Sequence, residues 1–284
     1  MIGNFAHGYY RELSSKYRTY PETTSWFGSL PIKNSIIKEL LILESFTQNR
    51  HQLSQSEIQK ITNFPKSTVY RLVKTLTELN YLKYDYKNRR YYLGPRVLSL
   101  GFSVLQSMEI REIARPYLEK LSRECNKSVN LLMLDRNEMV FIERIRVPGP
   151  RDYNVSIGSR IPVYNTAAGR VVLACLEREK FSQVICEIRR DHSAARYIRE
   201  NGKRLVQFLN KVKREGFAIN DQESARGLRA IAVPIFSSEG VAYAIDLIVA
   251  SEEVSLKELK RDYAPKLMKT GKEISEVMGY RGTR

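Results

Sequence analysis

The segment from Leu53 to Leu79 constrains the fold more than any other, because two helix signals lie a few residues apart there. Ser54-Gln55-Ser56-Glu57 has capping-box spacing, in which the Ser54 hydroxyl accepts from the Glu57 N–H and the Glu57 carboxylate reaches back to the Ser54 N–H. Leu53 and Ile58 occupy the two positions of a hydrophobic staple. The helix they start is short, ending near Thr62. Asn63-Phe64-Pro65 reads as a turn, since proline cannot continue a helix interior. A further helix is expected from Lys66 to Leu79, with Val69, Leu72, Val73 and Leu76 on one face. Ser67, Tyr70, Arg71 and Lys74 repeat that spacing two positions out of phase, which is about 200° around the helix. A short helix, a tight turn and a helix with an apolar inner face and a basic outer face describe a helix-turn-helix suited to a DNA major groove.

The flanking segments extend this unit. Ile36, Ile37, Leu40, Leu41 and Glu44 fit a first helix ending near Asn49. After Leu79, the aromatic runs Tyr81–Tyr86 and Arg90–Leu93 enclose the polar turn Lys87-Asn88-Arg89, which predicts a β-hairpin with a basic tip, the wing of a winged helix-turn-helix. Residues 1–30 lack periodicity and read as a flexible arm, although rich in aromatics such as Tyr9, Tyr17 and Trp26. The wing ends at Gly94, so the DNA-binding unit is placed at 31–94. A linker helix over 95–109 follows, with Val97, Leu100, Val104 and Met108 forming an apolar face that asks for a partner.

From 110 to 284 helices and strand pairs alternate. Helices are expected at Ile110–Cys125 (bent at Pro116), Thr166–Leu176, Phe181–Arg189, Lys203–Glu215 and Ser255–Met278. Strand pairs are expected at Ser128–Asp135 with Met139–Arg146, and at Ala230–Phe236 with Val241–Ala250. This mixture makes the fold class α+β.

Charge agrees with a polyanionic partner. The 284 residues carry a net +16, with ten basic and three acidic residues between Arg50 and Arg96. A 43% hydrophobic and 27% charged composition suits a globular core. No apolar run reaches the ~20 residues a bilayer span needs, and no secretory signal is visible, so no membrane partner is expected. Cys125, Cys175 and Cys186 form no C-x-x-C pair and read as reduced thiols in a cytosol, with Cys175 and Cys186 expected to be buried. His7, His51 and His192 are far apart, so no metal site is expected.

The chain resembles the IclR family of bacterial transcriptional regulators over nearly all of residues 33 to 280. The resemblance is carried by FPKSTVYRLVKTLTELNYL from Phe64, YYLGPRVLSLG from Tyr91, REIARPYLEKL from Arg111, GSRIPVYNTAAGRVVLA from Gly158 and GLRAIAVPI from Gly227. It implies a winged helix-turn-helix, a linker helix and a C-terminal GAF- or PAS-like effector-binding domain. It also implies a dimer, or a dimer of dimers, on a palindromic operator.

On this reading Lys66, Ser67, Thr68, Tyr70, Arg71 and Lys74 face the DNA from the recognition helix, and Lys87, Arg89 and Arg90 meet phosphates or a minor groove from the wing. In the C-terminal domain, Thr166 as N-cap with Ala167, Ala168 and Gly169 offers a helix start where an organic acid can bind, although close packing would select the same small residues. The rest of the family's pocket is altered. Asn220 stands where an Asp is common, Ala230 where a Cys is usual, and Leu247 and Val249 at positions often occupied by Ser. The expected effector is therefore less polar or larger than a short keto or hydroxy acid. Competing classes are an enzyme, and a ligand-independent architectural DNA-binding protein whose C-terminal domain only oligomerises. The motifs G-x-S-x-G, G-x-x-x-x-G-K-[ST], H-E-x-x-H and C-x-x-C are absent, and Asp221 and Glu223 have no metal-spaced partner, so no catalytic residue and no cofactor are expected.

Overall fold

A computed structural model describes residues 35–47, 50–148 and 155–281, except for the side chains of 192 and 193. The expected arm over 1–30 lies outside the described residues. The chain divides into two compact units between Ser107 and Met108.

The first unit runs α1 (Ser35–Glu44), α2 (Gln55–Thr62), α3 (Lys66–Glu78), β1 (Leu82–Asp85), β2 (Arg90–Leu93) and α4 (Pro95–Gln106). The capping box at α2 forms as expected: Ser54 Oγ accepts from the Glu57 N–H at 3.3 Å, and the Ser54 N–H donates to Glu57 Oε2 at 2.7 Å. Asn63 leaves α2 in the left-handed region (φ 54°), and Pro65 opens α3. Val69, Leu72, Val73 and Leu76 are buried with Leu41, Ile42, Leu53, Ile58 and Leu82. Leu53 also exchanges backbone hydrogen bonds with Tyr91, at 2.9 and 2.8 Å, so the start of α2 and the wing are stitched together. The first helix is shorter than expected: it stops at Glu44, and Thr47 and Arg50 pair across a turn. At Gly94 a Cβ would fall 2.2 Å from the Asn80 carbonyl oxygen, so only glycine lets the wing exit this close to the end of α3.

The second unit is a six-stranded, wholly antiparallel sheet in the order β5-β4-β3-β8-β7-β6. Its strands are β3 (Val129–Asp135), β4 (Glu138–Ile145), β5 (Arg160–Pro162), β6 (Ala218–Asp221), β7 (Leu228–Ser237) and β8 (Gly240–Ala250). The short β5 and β6 were not expected. On one face lie α5 (Glu109–Cys125), which is continuous through Pro116, and the terminal helix, with Leu118, Leu121, Ile231, Ile245, Leu247 and Leu267 in the core between them. On the other face lie α6 (Ala167–Cys175), α7 (Arg178–Arg190) and α8 (His192–Glu215), over Leu132, Phe141, Val171, Val172, Ala232 and Ala244. α8 is one 24-residue helix, beginning well before the expected Lys203. The terminal helix is interrupted: α9 (Leu256–Glu258) widens into a π segment (Leu259–Tyr263) before α10 (Ala264–Val277). The change falls just ahead of Pro265, which has no N–H for the regular ladder.

Candidate nucleic-acid interface and effector site

The two faces of α3 separate as its periodicity requires. Its four aliphatic residues are buried, while Lys66, Ser67, Tyr70, Arg71 and Lys74 are exposed and Thr68 is half-buried. Lys74 reaches Glu78 only at 3.9 Å. Arg71 is exposed and forms no ion pair among the described residues, so no carboxylate occupies its planar fork of donors.

The wing is a four-residue turn, Tyr86–Arg89, closed by the register pair Asp85 and Arg90. Asp85 braces it from inside. Its carboxylate accepts from the Lys87 N–H at 2.9 Å, the Asn88 N–H at 3.2 Å and the Asn88 side chain at 2.6 Å, and these bonds hold its pKa below the ordinary carboxylate value. Arg89 takes a left-handed conformation (φ 54°). Lys87 and Arg89 are exposed at the tip.

Arg90 is placed differently. Its Nη1 donates to the Gln52 carbonyl at 2.8 Å and lies 3.0 Å from Glu57 Oε2, while Nη2 donates to Glu57 Oε1 at 3.2 Å. It clamps the wing to the capped start of α2, and its charge is largely answered within the domain. Glu57 is held below its ordinary pKa first by the Ser54 backbone and side chain, then by Arg90. One residue missed by sequence reasoning is Tyr86, which is 85% exposed at the wing tip.

In the second unit the expected effector residues are split between two faces. Thr166 caps α6, its Oγ1 accepting from the Gly169 N–H at 3.2 Å and donating to the Pro162 carbonyl at 2.7 Å. Ala167 and Ala168 are buried, and a Cβ on Gly169 would sit 2.2 Å from the Val163 carbonyl oxygen. The small residues here serve a close backbone crossing. Asn220 also faces α6 but is committed: its Nδ2 donates to the Asn165 carbonyl at 2.5 Å. Its Oδ1 accepts from the Glu223 and Ser224 N–H groups, both at 3.2 Å, and from the Ser224 hydroxyl at 2.8 Å. Ala230, across from Asn220 on β7, packs on the same side.

Leu247 and Val249 do not join them. Both point into the α5 and α10 layer, because strand alternation sends residues 245, 247 and 249 to that face. The residues of β8 that face α6 are Asp246 and Ile248, one position out of phase with the expected pair. Asp246 is buried beside Asn130 of β3, whose Nδ2 donates to Asp246 Oδ1 at 2.7 Å, with Arg144 of β4 nearby. Burial pushes the Asp246 carboxyl up to about 7, against the opposing effects of Asn130 and Arg144. Asn130 Oδ1 is itself buried without a hydrogen-bond partner.

The remaining chemistry-bearing groups are tied to structure. Arg170 of α6 is fully buried, forms a two-pronged pair with Glu223 at 3.1 and 2.9 Å, and stacks 3.9 Å from the Phe208 ring. A cavity of about 40 Å³ beside it has room for water and not for an organic acid. Asp221 pairs with Arg229 at 2.7 Å. Cys125 is buried, and burial raises Cys175 to about 11. Cys186 is exposed, contrary to expectation, because it sits two positions from Val184 and Ile188 and so faces away from the α7 core stripe. Among the described residues, no group of three or more His, Cys, Asp or Glu is placed to hold a metal ion, and no helix is long and apolar enough to cross a membrane.

A winged helix-turn-helix with an open basic recognition face, followed by a separate α+β domain, defines a DNA-binding transcriptional regulator. The chain belongs to the IclR family: residues 102–276 match the bacterial transcriptional regulator IclR C-terminal domain, and residues 35–85 the IclR helix-turn-helix domain. It is 30% identical over 247 residues to the HTH-type transcriptional regulator KipR of Bacillus subtilis (strain 168), covering 87% of this chain and 97% of that protein. Among solved structures it resembles an IclR family transcriptional regulator from Brucella abortus, with 25% identity, a TM-score of 0.74, and 89% and 95% of the two chains covered. It shares its fold with an IclR homolog from Microbacterium hydrocarbonoxydans complexed with 4-hydroxybenzoate, at 20% identity and TM-score 0.69, over 87% and 99% of the chains.

Proposed function

We propose that this regulator reads a palindromic operator as a homodimer or a pair of dimers, with α3 in the major groove and the wing on the flanking DNA. The carrying observation is the two-faced α3, buried through four aliphatic residues and open through Lys66, Ser67, Tyr70, Arg71 and Lys74. Self-association is supported by α4, which buries none of its residues and leaves Leu98, Leu100, Phe102 and Val104 each more than half exposed. The protein works in the cytosol as a binding protein and not an enzyme. Supporting this, its relatives are regulators, and Asp221 and Glu223 are both engaged by arginines. Fluorescence anisotropy on its own upstream DNA and on a scrambled duplex, from low to about 200 mM salt, tests the operator reading. A preference of ~10³-fold that persists at the higher salt supports it, and equal affinities that vanish with salt refute it.

We place the effector on the α6 side of the sheet, where Thr166 to Gly169 open the helix near Asn220 and Ala230; the 4-hydroxybenzoate complex of the Microbacterium protein supports an organic ligand for this fold. A two- or three-carbon keto acid is disfavoured, because desolvating its carboxylate needs several donors, whereas the Asn220 amide already donates to the Asn165 carbonyl and its neighbour Ala230 offers none. The effector is therefore less polar or larger than a short keto or hydroxy acid. Thermal-shift screening of small acids against neutral and aromatic compounds tests this, and a strong specific shift by glyoxylate or pyruvate refutes it. The closed start of α6 favours a second reading, in which the domain only assembles the protein on DNA. Operator release by any small molecule that also shifts the melting temperature eliminates that reading.

A further inference from the structure

We infer that Tyr86 is an aromatic wedge at the wing tip, which enters the DNA minor groove beside the recognition helix and unstacks one base step in each half-site. The inference rests on the operator reading above. Tyr86 is the most exposed large hydrophobic side chain among the described residues, at 85%. Its ring is nevertheless braced. It meets Tyr84 edge-on, with centroids 5.0 Å apart and planes at 87°, and Tyr84 in turn lies 4.7 Å from Tyr91. Tyr91 is anchored to Leu53 by the paired backbone hydrogen bonds, so this aromatic column runs from the core to the tip of the hairpin. The turn that carries Tyr86 is fixed from within by Asp85, through its three bonds to Lys87 and Asn88. A rigid mount lowers the entropy lost when the ring is captured, and a tyrosine has only two side-chain torsions to fix.

The charge around the ring identifies the partner. Lys87 and Arg89 flank the tip in solvent, Arg90 is neutralised by Glu57, and the Asp85 carboxylate is turned inward to the loop amides. The tip thus offers an aromatic ring in the same four-residue turn as two exposed cations, which matches a minor groove walled by two phosphate strands. Apolar side chains inserted from that groove part a base step and bend the duplex toward the major groove. The cost is lowest at pyrimidine–purine steps, which stack weakly and kink readily. Tyr86 therefore selects sequence at a position where the wing makes no hydrogen bond to a base edge, and the selected step is TA or CA/TG.

The test starts with a duplex enriched from a random pool by the full-length protein. Bending is read by energy transfer between labelled ends, and unstacking by 2-aminopurine placed at successive steps under the wing. The wild-type complex should show a bend and a fluorescence rise at one pyrimidine–purine step per half-site. Tyr86→Ala should abolish both and weaken binding about tenfold, with an unchanged salt slope because no charge is lost. Tyr86→Phe should retain both signals, whereas Lys87→Ala should lower the salt slope and leave the 2-aminopurine signal in place. Bend and fluorescence that are identical in wild type and Tyr86→Ala would overturn the wedge while leaving the operator reading intact. Failure to enrich any duplex would overturn both.

Discussion

Helices α3 and α6 both begin with clear sequence signals and both were expected to present a binding surface, yet only α3 leaves an open polar face. α3 buries one stripe and leaves Lys66, Ser67, Tyr70, Arg71 and Lys74 in water. α6 is buried from Ala167 through Ala174, including its arginine, and its first turn is pressed against the Val163 backbone. The difference lies in what each residue type can do. A lysine or arginine on an outer face is open to a charged partner unless, like Arg90, it is answered within the domain. An alanine or glycine serves close packing and close ligand approach equally well, and only the neighbouring backbone decides between them.

The largest expected effect is at Arg170. Truncation to alanine strands the Glu223 carboxylate and empties the space against Phe208, and should cost about 3–5 kcal/mol in urea unfolding. A loss below about 1 kcal/mol would mean that α6 is less closed than its burial implies. The mirror experiment is Arg71→Ala on α3, which should weaken operator binding by about 1–3 kcal/mol and relax sequence preference while leaving stability within about 0.5 kcal/mol. If the two variants exchanged phenotypes, the contrast between the helices would collapse.

A third test uses pH. Burial raises the Asp246 carboxyl to about 7, above its ordinary value near 3.9, so the folded protein holds a proton that the unfolded chain releases between those values. Its contribution to stability is complete below about pH 4 and is lost as the pH rises through about 7. Unfolding free energies should fall by roughly 2–4 kcal/mol across that window, and Asp246→Asn should flatten the fall and raise the melting temperature at pH 8. Arg71→Ala should leave this profile untouched. The smallest effect belongs to Arg90→Ala. Its pair with Glu57 is partly exposed, so the loss should be about 0.5–1 kcal/mol of stability, with a smaller effect on operator affinity than Arg71→Ala.

Much of the first unit was legible in the chain. The Ser54 capping box, the Pro65 turn, the α3 stripe and the wing all rest on neighbours within a few residues, where local chemistry dictates geometry. The second unit was legible in its longer helices and strand pairs and poorly legible in its site. Leu247 and Val249 were expected to line the effector side and lie on the other face, because a shift of one residue in a strand reverses every side chain. The three-residue β5 and four-residue β6 carry too little pattern to stand out. Arg90 reads as one more basic residue of the wing until the fold brings Glu57, 33 positions away, against it.

Helix periodicity, caps and turn residues act over a single turn or hairpin, which is why the helix-turn-helix, the basic recognition face and the α+β alternation follow from local sequence alone. Which cations stay unpaired, which face each β8 residue takes, and whether the small residues of α6 open a pocket or seal a crossing emerge once distant segments pack together. Those outcomes depend on partners tens to more than a hundred positions distant, such as Arg170 with Glu223 and Asn130 with Asp246. No local pattern encodes such pairings, because the chain must first close the intervening loops before the partners can meet.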